Sequence, residues 1–269
     1  MTREVAGTDR RTVARPDGAQ IAVETWGAPD GEPVLLLHGA LSTAEQNYRL
    51  VLAPLGARHR LIGVDLRGHG RSSDPAGAFT LASLRDDALA VLDELGLAKA
   101  HVLGTSLGGY TALALRHAAP GRVATLALAG VKPGWTRGHA EERRGFFSPA
   151  GILGAYPHWD KYLAELHGKH HGPDHWRTLA TRVGDLLADL PDAPAVGWDA
   201  LVADGEGLPL FFCVGDRDEL VPLQTAVEVR ERRPDSQVLV VPRAGHLFRE
   251  YEPQVFAAAY LAFTRRYRL

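Results

Sequence analysis

The stretch HVLGTSLGGYTALAL, His101–Leu115, decides the fold. An apolar run with strand character ends at Gly104, and apolar residues with helical spacing begin just past Ser106. A chain that turns from strand to helix within about three residues leaves no room for an ordinary loop, so the turn is sharp and a lone serine stands at its corner. The helix N-terminus points backbone N–H groups and a partial positive charge at that spot. Gly104 and Gly108 lie two residues before and two after the serine, where such a turn crowds the chain.

Working outward, VLLLHG (Val34–Gly39), RLIGVDLRG (Arg60–Gly68) and RVATLALAG (Arg122–Gly130) are further short apolar runs ending near glycine or a polar residue. They predict buried parallel strands. LASLRDDALAVLDELG (Leu81–Gly96) and the run Leu107–His117 are helical in pattern and lie between strands, an alternation that predicts a parallel sheet covered on both faces. Ahead of them, TVARPDGAQIAVETWG predicts a hairpin turning at Pro16, Asp17 and Gly18. Behind them come LPLFFCVGD, a helix from about Pro222, QVLVVP, and a closing helix from Pro253 to Arg266.

The interval 131–207 breaks the alternation. Rich in Pro, Gly and His, it carries four of the five tryptophans, Trp135, Trp159, Trp176 and Trp198. It predicts a helical cap inserted into one α/β domain, with a core formed by 1–130 and 208–269. Composition fits a globular chain of 269 residues, 45% hydrophobic and 23% charged. A formal net charge of -2 supplies no basic field for nucleic acid or an anionic membrane. The polar start MTREVAGTDRR lacks a secretory core, and no apolar run nears the length of a membrane span, so a cytoplasmic location is expected. The single cysteine, Cys213, sits in the apolar run LPLFFCVG and is expected to be a buried strand thiol.

A serine hydroxyl is a poor nucleophile at neutral pH and needs a base within hydrogen-bond reach and a third group to orient that base. Of twelve histidines, only His246 follows an apolar strand, Gln237–Val241, and sits in a glycine-marked loop. GDRDELVP offers Asp216, Asp218 and Glu219 after another strand. Asp218 is the choice, because a residue a little past the strand end can lean over the sheet edge toward the histidine loop. Asp216 is expected to satisfy backbone groups of the turn.

These pieces resemble the α/β-hydrolase fold superfamily, in the branch with a serine nucleophile and a helical cap after strand six. The resemblance rests on HG at His38 and Gly39, DLRGHGRS from Asp65 to Ser72, the elbow GTSLG, GDRDELVP and the GH of the histidine loop, in the order Ser, Asp, His. It covers essentially the whole chain outside the cap and implies a mostly parallel eight-stranded sheet flanked by helices. It also implies Ser106 as nucleophile, His246 as general base then acid, and Asp218 as the group that fixes the histidine tautomer. The oxyanion hole would be the backbone N–H groups of Leu107 and Ala40, with Leu41 a weaker candidate for the second donor. In DLRGHGRS, His69 and Arg71 could be taken for catalytic groups, but the glycines point to a structural role in a sharp loop.

The cap tryptophans, with Phe146, Phe147, Tyr156 and Tyr162, suit either a pocket for a largely apolar or aromatic small-molecule substrate or the cap's own core. Leu41, Trp135, Trp159 and Leu247 are the candidate substrate contacts. LHGKHHGPDH places His167, His170, His171 and His175 at spacings a metal site could use, yet no H-E-x-x-H motif accompanies them, and a solvated face is the expectation. No metal and no cofactor are expected; a homo-oligomer is compatible with the sequence. Serine rather than aspartate at 106 argues against the dehalogenase and epoxide hydrolase chemistries of related enzymes. The expected activity is hydrolysis of an ester, lactone or related acyl bond through an acyl-enzyme. A hydrolase-like small-molecule receptor and a cofactor-free perhydrolase or haloperoxidase are the alternatives.

Overall fold

The computed structural model describes residues 9–74, 77–203 and 207–269. The polar start, residues 1–8, and residues 204–206 near the end of the expected insertion lie outside the described residues.

Eight strands form one sheet: β1 (Asp9–Ala14), β2 (Gln20–Gly27), β3 (Glu32–Leu37), β4 (His59–Val64), β5 (Ala100–Thr105), β6 (Val123–Ala129), β7 (Leu210–Gly215) and β8 (Gln237–Val241). Their order is β1-β2-β4-β3-β5-β6-β7-β8. β2 runs antiparallel to both its neighbours, and the six strands from β4 to β8 are parallel. The β1–β2 hairpin turns where the sequence placed it: the Asp17 carboxylate accepts the Ala19 N–H at 3.1 Å.

Because successive side chains on a strand point to opposite faces, each central strand feeds two cores. Leu35 and Leu37 of β3, Val102 of β5, Leu126 and Leu128 of β6 and Phe212 and Val214 of β7 pack on one face. Here they meet α3 (Leu81–Glu94), α4 (Leu107–Ala118) and α10 (Gln224–Arg232). Val34, Leu36, Leu103, Ala127, Phe211 and Cys213 pack on the other, against α1 (Ala44–Tyr48), α2 (Leu52–Gly56) and α11 (Pro253–Thr264). The Cys213 thiol is buried there, and burial pushes its pKa well up.

The chain leaves β3 on the α1–α2 side to reach β4, then returns on the α3 side to β5, which pairs with the opposite edge of β3. The strand order therefore reverses between β3 and β5. At such a point the loops beyond the carboxyl ends of the two strands diverge and open a crevice. His38–Leu41 leave β3 there, and Ser106 leaves β5 there.

Between β6 and β7 the chain adds α5 (Arg137–Phe146), α6 (Pro149–Ala155), α7 (Trp159–His171), α8 (His175–Ala188) and α9 (Trp198–Ala203). The apolar side of α8, with Trp176, Leu179, Ala180 and Val183 fully buried, is the packing centre of this insertion. Among the described residues, no helix is long and apolar enough to cross a membrane.

Candidate active site

Ser106 sits between β5 and α4 with φ 49° and ψ −115°, a conformation that costs a non-glycine residue roughly 1–3 kcal/mol. The elbow exists because its neighbours have no side chains. A Cβ on Gly104 would come 2.6 Å from Gly109 Cα, and one on Gly108 would collide with the Leu37 carbonyl. The Ser106 N–H donates to the Ala129 carbonyl of β6 at 3.0 Å, anchoring the corner to the sheet. The helix that follows is buried along one continuous run from Leu107 to Leu115.

The loops after β7 and β8 bring the other two candidates to this corner. His246 Nε2 lies 3.1 Å from Ser106 Oγ, and His246 Nδ1 lies 3.0 and 3.1 Å from the two Asp218 carboxylate oxygens. The Asp218 side chain is buried, and its Oδ1 also accepts the N–H groups of Leu220 and Val221 at 2.9 and 2.8 Å. An ionised carboxylate only accepts, so Nδ1 carries the imidazole proton and Nε2 turns its lone pair to the serine. Asp216 is exposed and its backbone N–H donates to the Val241 carbonyl; among the described residues its carboxylate bonds neither the histidine nor backbone groups of the turn. Glu219 contributes differently: its carboxylate accepts the His246 backbone N–H at 3.2 Å.

Two backbone N–H groups near this corner are candidate donors. Leu107 is the first residue of α4, so its N–H has no partner within the helix. The Ala40 N–H has no protein partner among the described residues, and Ala40 lines the cavity above Ser106. The Leu41 N–H is already given to His69 Nε2 at 3.1 Å, which leaves Ala40 as the candidate second donor.

That cavity, of about 100 Å³, is walled by Leu41, Leu247 and Phe248 on the sheet side and by Phe146, Phe147, Ile152, Tyr156, Trp159 and Tyr162 from the insertion. Tyr156 and Trp159 stack at 4.4 Å between ring centroids. Three of the four expected substrate contacts, Leu41, Trp159 and Leu247, are in the wall. Trp135 is not: its indole N–H donates to the Tyr110 hydroxyl at 2.9 Å, and the two rings pack edge to face away from the cavity. Burial pushes the Tyr110 hydroxyl up to about 12, so it stays a neutral partner. Trp176 is wholly buried in the insertion, and Trp198 packs over Gly134 beneath the Arg232 guanidinium.

The histidine run departs from a uniformly solvated face. His170 is exposed, but His167 is fully buried and its Nδ1 accepts the Gly70 N–H at 3.0 Å, while His175 Nε2 donates to the Gly68 carbonyl at 2.8 Å. Among the described residues, no group of three or more His, Cys, Asp or Glu is arranged to hold a metal ion.

Two site residues escaped the sequence. Gly130 has φ 62°, and a Cβ there would crowd the His246 ring at 3.2 Å. Its place after β6 was the only available signal. Asn47, on a five-residue helix that no periodicity reveals, accepts the Gly39 N–H at 3.3 Å and donates to Thr105 Oγ1 at 3.3 Å, tying the β3 loop to the elbow.

A sequence profile of the alpha/beta hydrolase fold matches residues 32–253. The chain belongs to the α/β-hydrolase fold family. Among its relatives is RutD of Caulobacter vibrioides, provisionally named a carbamate hydrolase, 30% identical over 273 residues that cover 94% of this chain and 98% of the relative. A non-heme chloroperoxidase of Streptomyces lividans is 36% identical over 123 residues, 45% of each chain. The solved structure of a thermophilic esterase from Thermogutta terrifontis superposes with a TM-score of 0.78 at 25% identity, covering 97% of this chain and all of the esterase. These α/β-hydrolase relatives make the protein a hydrolase of this fold.

Proposed function

We propose that the protein is a serine hydrolase that cleaves an ester, lactone or related acyl bond of a small, largely apolar substrate through an acyl-enzyme on Ser106. The observation that carries this reading is the continuous hydrogen-bond line from Asp218 through His246 to Ser106, at the floor of an aromatic-walled cavity.

In this reading His246 Nε2 takes the Ser106 proton as Oγ attacks the substrate carbonyl carbon. Negative charge then builds on the carbonyl oxygen between the N–H groups of Ala40 and Leu107, each such donor lowering the barrier by about 3 to 4 kcal/mol. The imidazolium is stabilised by Asp218 and gives its proton to the leaving group as the tetrahedral intermediate collapses. Water, deprotonated by the same Nε2, releases the acid and restores Ser106. The insertion, acting as a cap, would hold the remote part of the substrate and exclude water from the elbow.

A panel of esters, lactones, thioesters and carbamates, run against wild type and Ser106→Ala, tests the proposal. Turnover of at least one class by wild type alone is expected; activity that survives in Ser106→Ala contradicts it. The chloroperoxidase relative favours one second reading, in which hydrogen peroxide replaces water at the acyl-enzyme and a peracid forms. Peracid yield at added peroxide separates the two.

A further inference from the structure

Leu41 holds a left-handed backbone, φ 55°, beside the candidate oxyanion donor Ala40. A leucine does not stay there unless the surroundings hold it. Its N–H is held by an acceptor on His69, a fully buried side chain of the loop after β4. His69 Nδ1 donates to the Arg67 carbonyl at 3.0 Å, which leaves the Nε2 lone pair to accept the Leu41 N–H at 3.1 Å. On the other side of Ala40, the Gly39 N–H is held by Asn47. The peptide N–H groups flanking that of Ala40 are thus both tied down, and Ala40 between them lines the cavity with its own N–H unpartnered among the described residues.

His69 is itself braced from the insertion. The His167 ring of α7 packs edgewise on it at 5.7 Å between centroids, and His167 Nδ1 accepts the N–H of Gly70, the residue after His69. His38 packs on its other side at 5.0 Å and accepts the Leu66 N–H through Nε2. α7 also supplies Trp159 and Tyr162 to the cavity wall. One helix therefore carries part of the substrate wall and part of the brace behind the oxyanion loop.

We propose that His69, braced by His167, is a positioning residue for the acyl-transfer reaction, fixing Leu41 so that the Ala40 N–H points at the oxygen on which charge develops. The inference rests on the serine-hydrolase reading of Ser106. Accepting two amides requires two neutral imidazoles, and the environment keeps them so: burial and the neighbouring histidines hold His69 well below its usual range, and burial pushes His167 down to about 4. His69 touches no reacting atom. Its contribution is to the aim of a donor whose outright removal costs about 10²–10³ in turnover.

The test compares His69→Leu, which removes the acceptor, with His69→Gln, whose amide oxygen reaches the position of Nε2. Wild type and both variants are assayed on the best ester of the panel for kcat, KM, melting temperature and the rate at which an organophosphonate labels Ser106. The expected result is a fall in kcat on the order of 10-fold to 100-fold for His69→Leu, with KM within about threefold, a parallel fall in labelling rate, and recovery of most of the loss in His69→Gln. Should His69→Leu not fold, His167→Leu against His167→Asn, whose amide oxygen replaces Nδ1, is read by the same criteria. Unchanged kcat in folded His69→Leu, or a loss that His69→Gln does not restore, overturns the proposal. A wild-type protein that turns over no ester and takes no label at Ser106 is a different failure, that of the hydrolase reading itself.

Discussion

Replacing Asp218 by asparagine separates orientation of the base from everything else the loop does, because the backbone dictates how the new amide must sit. Oδ1 of Asp218 accepts two N–H groups, from Leu220 and Val221. The asparagine must keep its oxygen there, which places its NH2 at the position of Oδ2, 3.1 Å from His246 Nδ1. Nδ1 then lies 3.0 Å from the retained oxygen, which already accepts two amides, and next to a group that can only donate, and the imidazole answers that donor by moving its proton to Nε2. That nitrogen then presents N–H to Ser106 Oγ and cannot take its proton. Loss of the corresponding tautomer control in a serine protease lowers kcat by about 10⁴, which is about 5.4 kcal/mol of transition-state stabilisation. The fold should survive, since both backbone amides keep their acceptor. Asp216→Asn is the matched control: its side chain is exposed, and turnover should stay within about twofold of wild type. Steady-state kcat on the best panel substrate, with melting temperature for all three proteins, decides the matter. If Asp216→Asn proves the damaging change, or folded Asp218→Asn keeps more than a tenth of wild-type kcat, the reasoning is refuted.

Two further outcomes follow from burial. Trp159→Ala should change the ratio of kcat/KM between bulky and small substrates about tenfold with little change in melting temperature, whereas Trp176→Ala, which empties a fully buried site, should cost about 3 to 5 kcal/mol in denaturant unfolding. The same stability for both, or an unchanged ratio for Trp159→Ala, contradicts the division. His101 and His167 are each pushed down to about 4, chiefly by burial, so the unfolded chain binds protons below about pH 6.5 that the folded one refuses. Stability is therefore full above pH 6.5 and falls as pH drops toward 4, by about 1.4 kcal/mol per pH unit for each histidine. Calorimetry across that interval checks the sign, and a melting temperature that is flat or rises on acidification refutes it.

The sheet and the elbow were legible in the sequence because both are written locally. Short apolar runs ending at glycine need only the period of a strand, and GTSLG needs only the crowding of a sharp turn. The candidate acid and base were legible too, since Asp218 and His246 each follow a strand whose carboxyl end the topology fixes at one edge. What lay hidden depends on contacts across the fold. His167 reads as one of several solvated histidines until α7 packs against the loop after β4, when it alone of the four is fully buried. Trp135 belongs with the aromatic lining by composition, but the Tyr110 hydroxyl captures its indole N–H. Asn47 lies on a helix too short to show a period. The preference for Ala40 over Leu41 as candidate oxyanion donor rests on one hydrogen bond from Leu41 to His69, 28 positions along the chain, and the histidine that braces that loop, His167, lies 97 positions beyond Gly70.

The central claim, that Ser106 is the nucleophile, is most directly tested by covalent capture. Wild-type protein treated with an alkyl or aryl organophosphonate and digested for mass spectrometry should carry a single adduct, on the peptide containing Ser106, with loss of turnover in proportion to labelling. Folded protein that remains unlabelled, or an adduct on another residue that tracks the loss of activity, would contradict the account.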